Sequence, residues 1–139
     1  MRSALRLLRR RDMIRIIFRD LTRKADLFQT TAELSCLADF CVQTALDDCY
    51  QAAVRRYGQP LSPDGIPEQL IVLGMGKLGA YELNLSSDID LIFFYTHQGT
   101  LRFEQNGRDQ TISFQEFFIR LARQLISHLD DAGSIDNVF

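Results

Sequence analysis

Two aspartates separated by one residue, Asp88 and Asp90, carry the strongest chemical signal in the sequence. They open an apolar run, DIDLIFFY, which is typical of a buried strand. Because side chains on a strand alternate between faces, we expect both carboxylates to point the same way, with Cα atoms about 6.6 Å apart. Neighbouring carboxylates repel each other unless a cation binds between them. Mg²⁺ prefers carboxylate and phosphate oxygens, so we interpret Asp88 and Asp90 as catalytic, metal-binding residues.

A glycine-rich turn precedes the aspartates and follows another apolar run, LIVLG. Bare backbone can approach a phosphate closely, and successive N–H groups in such a turn form a concavity that binds anions. A lysine in the turn and two serines before Asp88 could add contacts to phosphate oxygens. A solvated lysine and serines that only stabilise a turn are competing interpretations. The candidate phosphate-binding residues from this pattern are Gly76, Lys77, Gly79, Ser86 and Ser87.

Two common nucleotide-binding motifs are excluded by the residues after the glycines. GMGKLG matches the dinucleotide-binding pattern G-x-G-x-x-G, but that pattern opens a crossover helix and places its acid at the far end of the next strand. Only eight residues, AYELNLSS, separate Gly79 from Asp88, which is too short for such a helix. A phosphate-binding loop of the Walker type requires Lys and Ser or Thr after its last glycine, where this chain has Ala80 and Tyr81.

Residues 1–57 form a helical region in our interpretation. Apolar residues at three- and four-residue steps predict a first helix with one apolar face, formed by Ile14, Ile17, Phe18, Leu21 and Ala25. Thr30 and Glu33 have the spacing of a capping box and predict the start of a second helix, about 26 residues or ~39 Å long. Gly58 and Pro60 end it. Its apolar stripe consists of Leu34, Leu37, Ala38, Cys41, Ala45, Cys49 and Ala52.

Residues 58–139 form the second predicted region. Its first ten residues, GQPLSPDGIP, indicate a linker or a structured loop. Asn106-Gly107 predicts a hairpin turn, and Ser113 with Glu116 predicts a capping box that starts a helix ending at Gly133. Residues 135–139 look like the opening of a strand. We therefore predict an α+β fold, in which a helical region is followed by helices and a small mixed sheet.

Composition excludes several classes of protein. The net charge of −2 gives no overall attraction to nucleic acid or membranes, and no apolar run approaches the ~20 residues of a membrane span. The Arg-rich start raises the possibility of a transit peptide, but Asp12 and Asp20 argue against it. Cys36, Cys41 and Cys49 lack metal-ligand spacing and are expected to be small buried side chains in a reducing cytoplasm.

The stretch GMGKLGAYELNLSSDIDLIF, residues 74–93, closely resembles the active-site signature of the glutamine synthetase adenylyltransferase/adenylyl-removing enzymes. These enzymes belong to the nucleotidyltransferase superfamily that includes polymerase beta. LLRRRDMIRIIFRDL, residues 7–21, is similar to the helical stretch ahead of that domain. The resemblance implies a polymerase-beta-like core, with Asp88 and Asp90 as the metal ligands. It also places Gly79 and Ala80 in the turn that holds the phosphates, although the family usually has a second glycine where this chain has Ala80.

The resemblance also implies a function. The family enzymes have two related domains, one that adds AMP from ATP to a tyrosine of glutamine synthetase and one that removes it by phosphorolysis, giving ADP. Residues 84–90, NLSSDID, look more like the amino-terminal, adenylyl-removing domain. The implied cofactor is Mg²⁺. The implied partners are glutamine synthetase, ATP or ADP, phosphate and a PII-type nitrogen regulatory protein, without nucleic acid or membrane.

The family places a third carboxylate on a strand that would follow Phe139. We therefore expect this chain to be a piece of a longer protein, with an incomplete core, and to be inactive alone. A non-catalytic module that binds a nucleotide or a partner on the same fold is the main alternative. A nucleic-acid-directed polymerase relative is disfavoured, because the balance of charge is acidic and no basic stripe lies near the acids.

Overall fold

The computed structural model describes residues 2–133, which contain four helices and four short strands. Two long helices come first, α1 (Arg2–Leu21) and α2 (Leu27–Tyr57). The strand β1 (Ile71–Gly74), the one-turn helix α3 (Gly76–Gly79) and the strand β2 (Leu91–Phe94) follow. A hairpin of β3 (Thr100–Gln105) and β4 (Arg108–Ser113) leads into α4 (Phe114–Gly133). The predicted α+β class is confirmed. The predicted strand over residues 135–139 lies outside the described residues.

The start of α2 differs from the prediction. The helix begins at Leu27, and Asp26 caps it by accepting a hydrogen bond from the Gln29 amide at 2.8 Å, while Gln29 Oε1 accepts from the Asp26 amide at 3.1 Å. Asp26 and Gln29 form a capping box with the same spacing as the predicted pair, and they occur earlier in the chain. Thr30 instead donates a hydrogen bond to Asp20 at 3.0 Å, which ties α2 to the end of α1. The predicted end, at Gly58, is confirmed.

The first helix has two apolar sides. Leu5 and Ile16 are buried against the rest of the chain, whereas Ile14, Phe18 and Leu21 of the predicted apolar face are exposed. Ala25 lies beyond the end of α1. Spacing alone identifies residues that share a side of a helix, but it does not tell which of two apolar sides is covered.

The described strands form two separate antiparallel pairs, rather than the single mixed sheet that the sequence suggested. In the first pair, Ile71 lies opposite Phe94 and Gly74 lies opposite Leu91. The segment between β1 and β2, residues 75–90, contains only the one-turn helix α3 and returns the chain antiparallel to β1. The hairpin turn is as predicted, since Asn106 (φ 54°) and Gly107 (φ 71°) both have the positive φ that a two-residue turn requires.

The main core joins the two predicted regions. Phe117 and Phe118 of α4 are almost completely buried, with ring centroids 5.1 Å apart in an edge-to-face arrangement. They pack with Cys49 and Tyr57 of α2. Backbone hydrogen bonds such as Glu68 N–H to the Pro60 carbonyl, at 2.8 Å, make residues 58–67 a structured loop. The described residues thus pack across position 57/58, where the boundary between the regions 1–57 and 58–139 was predicted.

The burial of the cysteines agrees in part with the prediction. Cys41 and Cys49 are buried as predicted, but Cys36 is exposed, because it lies on the outer side of α2. No helix within residues 2–133 is long and apolar enough to cross a membrane.

A buried carboxylate closes the end of the first strand pair that lies away from the aspartates. Glu68 is 5% exposed and accepts hydrogen bonds from Thr96 Oγ1 at 2.8 and 3.0 Å and from His97 Nδ1. Burial acts to raise the pKa of Glu68, but the hydrogen bonds from Thr96 and His97 outweigh it, so the pKa lies below its ordinary value.

We expect Glu68 to make the stability of the chain depend on pH. Since its pKa is lower in the folded state, its contribution is fully present above the pKa of an unfolded glutamate, about 4.3, and is lost as pH falls through the folded pKa. In urea titrations between pH 7 and pH 3, Glu68→Gln should therefore show a shallower loss of unfolding free energy than the wild type. Glu104→Gln, an exposed position on β3, should keep the wild-type slope. An unchanged slope in Glu68→Gln would contradict the assignment.

Candidate active site

Asp88 and Asp90 lie immediately before β2. They are not on the strand, so the strand prediction for them is wrong by a few residues. The pairing ends at Gly74 opposite Leu91, because the chain leaves β1 for α3 and offers no further residues to pair. One backbone bond still anchors the segment, since the Met75 amide donates to the Asp90 carbonyl at 2.8 Å. Both aspartates are exposed.

The two aspartates line one cleft of about 770 Å³. Its apolar lining includes Leu34, Leu37 and Ala38 of α2. Both acids line this cleft from the loop before β2, so strand alternation does not place them there. A cleft of this volume falls in the usual range for small-molecule sites, about 300–1,000 Å³.

Three further residues with ionisable side chains line the cleft and were not predicted there from the sequence. Arg9 comes from α1, Cys41 from α2 and Asp130 from α4. Burial raises the pKa of the Cys41 thiol, and Arg9 opposes that shift. No local motif marks these positions, because they reach the cleft only through helix packing.

Gly76 and Gly79 are each favoured in the turn for a different structural reason. Gly76 has φ +55°, and a Cβ atom there would lie 3.3 Å from Asp90 Oδ2. A Cβ atom on Gly79 would lie 2.6 Å from the Gly74 carbonyl oxygen. The turn therefore brings bare backbone directly beside Asp90. Ala80 has φ −86°, an ordinary conformation for an alanine, and is exposed, so its methyl group is compatible with this turn.

Hydrogen bonds within the turn limit how it can contact an anion. The Gly79 amide donates to the Met75 carbonyl at 3.2 Å, and the Ala80 amide donates to the Gly76 carbonyl at 3.1 Å. Gly79 and Ala80 thus offer close approach of the backbone rather than N–H donors. Lys77 is exposed at the same turn.

Asn84 organises the two candidate serines. Its Oδ1 accepts hydrogen bonds from Ser87 Oγ at 2.5 Å, from Ser86 Oγ at 3.3 Å and from the Ser86 amide at 3.2 Å. Ser87 also lines the cleft. The hydroxyls therefore stabilise the loop that leads to Asp88, which is the competing interpretation of these serines. An Asn followed closely by serines is a signal for such a turn, and it could have been identified in the sequence.

The turn is tied to α2 at two points. Tyr81, which has φ +58°, donates from its hydroxyl to Asp39 Oδ2 at 2.6 Å. The Leu83 amide donates to Ser35 Oγ at 3.3 Å, and Ser35 is fully buried. Ser35 and Asp39 are four residues apart and so lie on one side of α2. They fix the chain between the glycine turn and the loop that carries the aspartates.

Removal of the Tyr81 hydroxyl should loosen this loop without unfolding the chain. The hydrogen bond to Asp39 raises the pKa of Tyr81 and lies at the surface, so Tyr81→Phe should leave the thermal midpoint nearly unchanged. If the loop positions a metal site, the apparent Mg²⁺ affinity should fall several-fold, less than the roughly 10–100-fold lost with groups that bond the metal ligands directly. Tyr95→Phe, whose ring stacks on Phe118 at 4.8 Å, is the control. Equal affinities in both variants would contradict the positioning role.

The chemistry of this site fits Mg²⁺. Mg²⁺ is usually held by one or two carboxylates together with water and substrate phosphates, and Asp88 and Asp90 present two exposed carboxylates to one cleft beside a glycine turn. Residues 2–133 contain no cluster of three or more His, Cys, Asp or Glu side chains arranged to hold a metal ion. Any site here would therefore rest on the aspartate pair.

Comparison with known proteins identifies the family. The family model for glutamate-ammonia ligase adenylyltransferase matches residues 1–139. The chain belongs to this family. Curated relatives of the glutamate-ammonia ligase adenylyltransferase family are named bifunctional glutamine synthetase adenylyltransferase/adenylyl-removing enzyme. The relative from Hahella chejuensis is 47% identical over 135 residues, which are 97% of this chain and 14% of the relative.

Two other relatives with the same name match this chain at a similar identity and over a similar share of their length. The Pseudomonas aeruginosa relative is 48% identical over 127 residues, 91% of this chain and 12% of its own length. The Chromobacterium violaceum relative is 46% identical over 137 residues, 98% of this chain and 15% of its own length. The chain therefore spans about one seventh of the length of the relatives it matches. The match includes the candidate site, and the activity of a whole family member is a matter for proposal.

Proposed function

We propose that the cleft beside Asp88 and Asp90 is part of a Mg²⁺-dependent nucleotidyltransferase site that acts on glutamine synthetase. One observation carries the proposal, namely that the glycine turn runs so close to Asp90 that a Cβ atom added to Gly76 would lie 3.3 Å from Asp90 Oδ2. A nucleotide phosphate at this turn would meet the carboxylates directly. The names of the relatives support the choice of an adenylyl group and of glutamine synthetase.

The proposed reaction removes AMP from an adenylylated tyrosine by phosphorolysis. An oxygen of inorganic phosphate forms a bond to the adenylyl phosphorus, the bond from that phosphorus to the tyrosine oxygen breaks, and the tyrosine oxygen takes the proton that the attacking phosphate loses. The products are ADP and glutamine synthetase with an unmodified tyrosine side chain. The opposite modification adds AMP from ATP to the tyrosine. The sequence NLSSDID, residues 84–90, favours removal, because it looks more like the adenylyl-removing domain of the family.

Each group in the cleft has a proposed role. Asp88 and Asp90 would hold Mg²⁺, which when bound neutralises charge on the phosphate oxygens. The backbone around Gly76 approaches the phosphates closely, and Lys77 adds a positive charge at the same turn. The apolar side of the cleft, on α2, offers a surface for the adenine ring. Reaction through such a site depends on positioning and charge stabilisation, without a covalent enzyme intermediate.

We also propose the setting in which the site works. The macromolecular substrate is glutamine synthetase, the small substrates are phosphate, ADP and ATP, and a PII-type nitrogen regulatory protein controls the direction. We place the protein in the cytoplasm, where these metabolites occur. The names of the relatives support glutamine synthetase as the substrate, and the other points rest on the resemblance of the sequence to the family.

A chimeric enzyme tests the proposal. The 127 residues of this chain that match the Pseudomonas aeruginosa relative would replace the corresponding segment of that enzyme, and both removal and addition of AMP on glutamine synthetase would be measured. We expect Asp90→Asn to lower phosphorolytic removal by about 10²-fold or more, the scale of losing one transition-state charge contact, while addition continues. Loss of addition alone would contradict the proposed direction. Full retention of both activities would contradict a catalytic role for Asp90.

A further inference from the structure

The outer side of α1 carries large apolar side chains that stand in solvent. Leu7, Ile14, Phe18 and Leu21, here called the outer stripe, are 58% to 77% exposed. They lie away from the side of α1 that is buried through Leu5 and Ile16. At 100° per residue, Ile14 and Ile16 are about 200° apart around the helix. Residues 2–133 thus bury one side of α1 and leave an apolar stripe on the other.

The spacing of the outer stripe is that of a helix–helix seam. With Arg11 included, its residues follow one another at steps of four, three, four and three along the chain. A repeat of 3.5 residues packs knobs into holes against another helix. The stripe contains Arg11, whose side chain is 75% exposed. A charge inside the apolar side is unfavourable for a helix that inserts into a membrane surface, so this pattern favours a protein helix.

The charges around the stripe define the partner. The α1 sequence contains seven arginines and two aspartates. Arg10 lies one position before Arg11 at the border of the seam, where flanking charges decide which helices pair. Arg15 lies at the other border but is already ion-paired with Glu33 of α2 at 3.0 Å. Two copies of α1 face to face would bring arginines against arginines, which disfavours a second copy of this chain. A helix with carboxylates beside its apolar stripe complements both the seam and its borders.

We propose that the outer stripe docks an amphipathic protein helix from outside residues 1–139, with Asp or Glu bordering its apolar side and one carboxylate opposite Arg11. The contact would extend from Leu7 to Leu21, about 21 Å at 1.5 Å per residue. It lies on the side of α1 opposite Ile16, so it is separate from the nucleotide cleft and does not depend on the proposed transfer reaction.

Designed helices provide the probe. Two peptides of about three heptads share leucines on the apolar stripe. One carries Glu at the bordering positions and at the position facing Arg11, and the other carries Lys at the same places. Fluorescence anisotropy with the 139-residue chain should show that the Glu peptide binds at least about tenfold more tightly. The difference should shrink at high salt, because exposed charges are screened.

Substitutions on α1 locate the contact. Ile14→Gln should weaken binding of the Glu peptide by about tenfold, the scale of removing one buried aliphatic side chain. Arg11→Glu should reduce or reverse the preference for the Glu peptide over the Lys peptide. Arg55→Glu, the same change of charge at an exposed position of α2, should leave binding unchanged. Circular dichroism on each variant shows that the fold is kept.

Four results would overturn the proposal. Equal affinity for the two peptides would remove the charge argument, and binding that survives Ile14→Gln would place the contact elsewhere. Self-association of the chain that Ile14→Gln abolishes would make a second copy the occupant. Binding to phosphatidylglycerol vesicles that requires Ile14, without binding of the Glu peptide, would make the stripe a membrane contact.

Discussion

Addition of Mg²⁺ should raise the thermal midpoint of this chain, and Asp88→Asn or Asp90→Asn should abolish the rise. Both carboxylates line the same cleft, and a cation that binds only the folded state stabilises it by mass action. At a Mg²⁺ concentration about tenfold above its dissociation constant, the stabilisation is about 1.4 kcal/mol, or roughly 3–5 °C for a chain of this size. Differential scanning fluorimetry over a Mg²⁺ titration measures the shift.

The controls separate metal binding from general screening of charge. Asp64→Asn removes the same charge from an exposed loop position outside the cleft and should keep the full Mg²⁺ response. NaCl at matched ionic strength should produce a smaller shift in all variants. Without Mg²⁺, the Asn variants should be at least as stable as the wild type, because one of two neighbouring negative charges is gone.

The alternative interpretation makes a different forecast. A non-catalytic nucleotide- or partner-binding module on this fold has no need of a metal, so the wild type would show the same small response as its variants. An identical shift in the wild type, Asp88→Asn and Asp90→Asn would therefore remove the reason for interpreting this pair as metal ligands.

Local signals in the sequence predicted the local structure well. The Asn106-Gly107 turn and the end of α2 at Gly58 are as expected, since each depends on a residue with positive φ. The glycine turn and the acid pair were found because their chemistry is encoded in adjacent residues. The aspartates were predicted on β2 but lie just before it, because β1 ends at Gly74 and leaves no residue for them to pair with.

Other features depend on tertiary packing and carry no local signal. Arg9 and Asp130 reach the cleft from α1 and α4, from opposite ends of the chain. The spacing of apolar residues in α1 showed a common side but not that this side is exposed, because Leu5 and Ile16 compete for burial. The bond from Tyr81 to Asp39 likewise depends on the way the turn meets α2.

The second large effect should come from Gly79→Ala. A methyl group at this position would lie 2.6 Å from the Gly74 carbonyl oxygen and 3.4 Å from its carbon. This contact is with backbone, so no side-chain rotation can relieve it, and the turn must move away from β1. We expect a loss of about 2–3 kcal/mol of unfolding free energy, near the upper end of the usual cost of overpacking, measured by urea denaturation.

Two matched variants separate the causes of this loss. Gly65→Ala places a side chain at φ +77° with no atom within 4 Å, so it carries conformational strain alone, about 1–2 kcal/mol. Ala80→Gly, at φ −86°, adds only backbone freedom, about 0.5–1 kcal/mol. Gly79→Ala alone should also speed amide exchange at Met75, which donates to the Asp90 carbonyl. If Gly79→Ala is as stable as Ala80→Gly and Met75 stays protected, the close contact between turn and strand does not hold the aspartates in place.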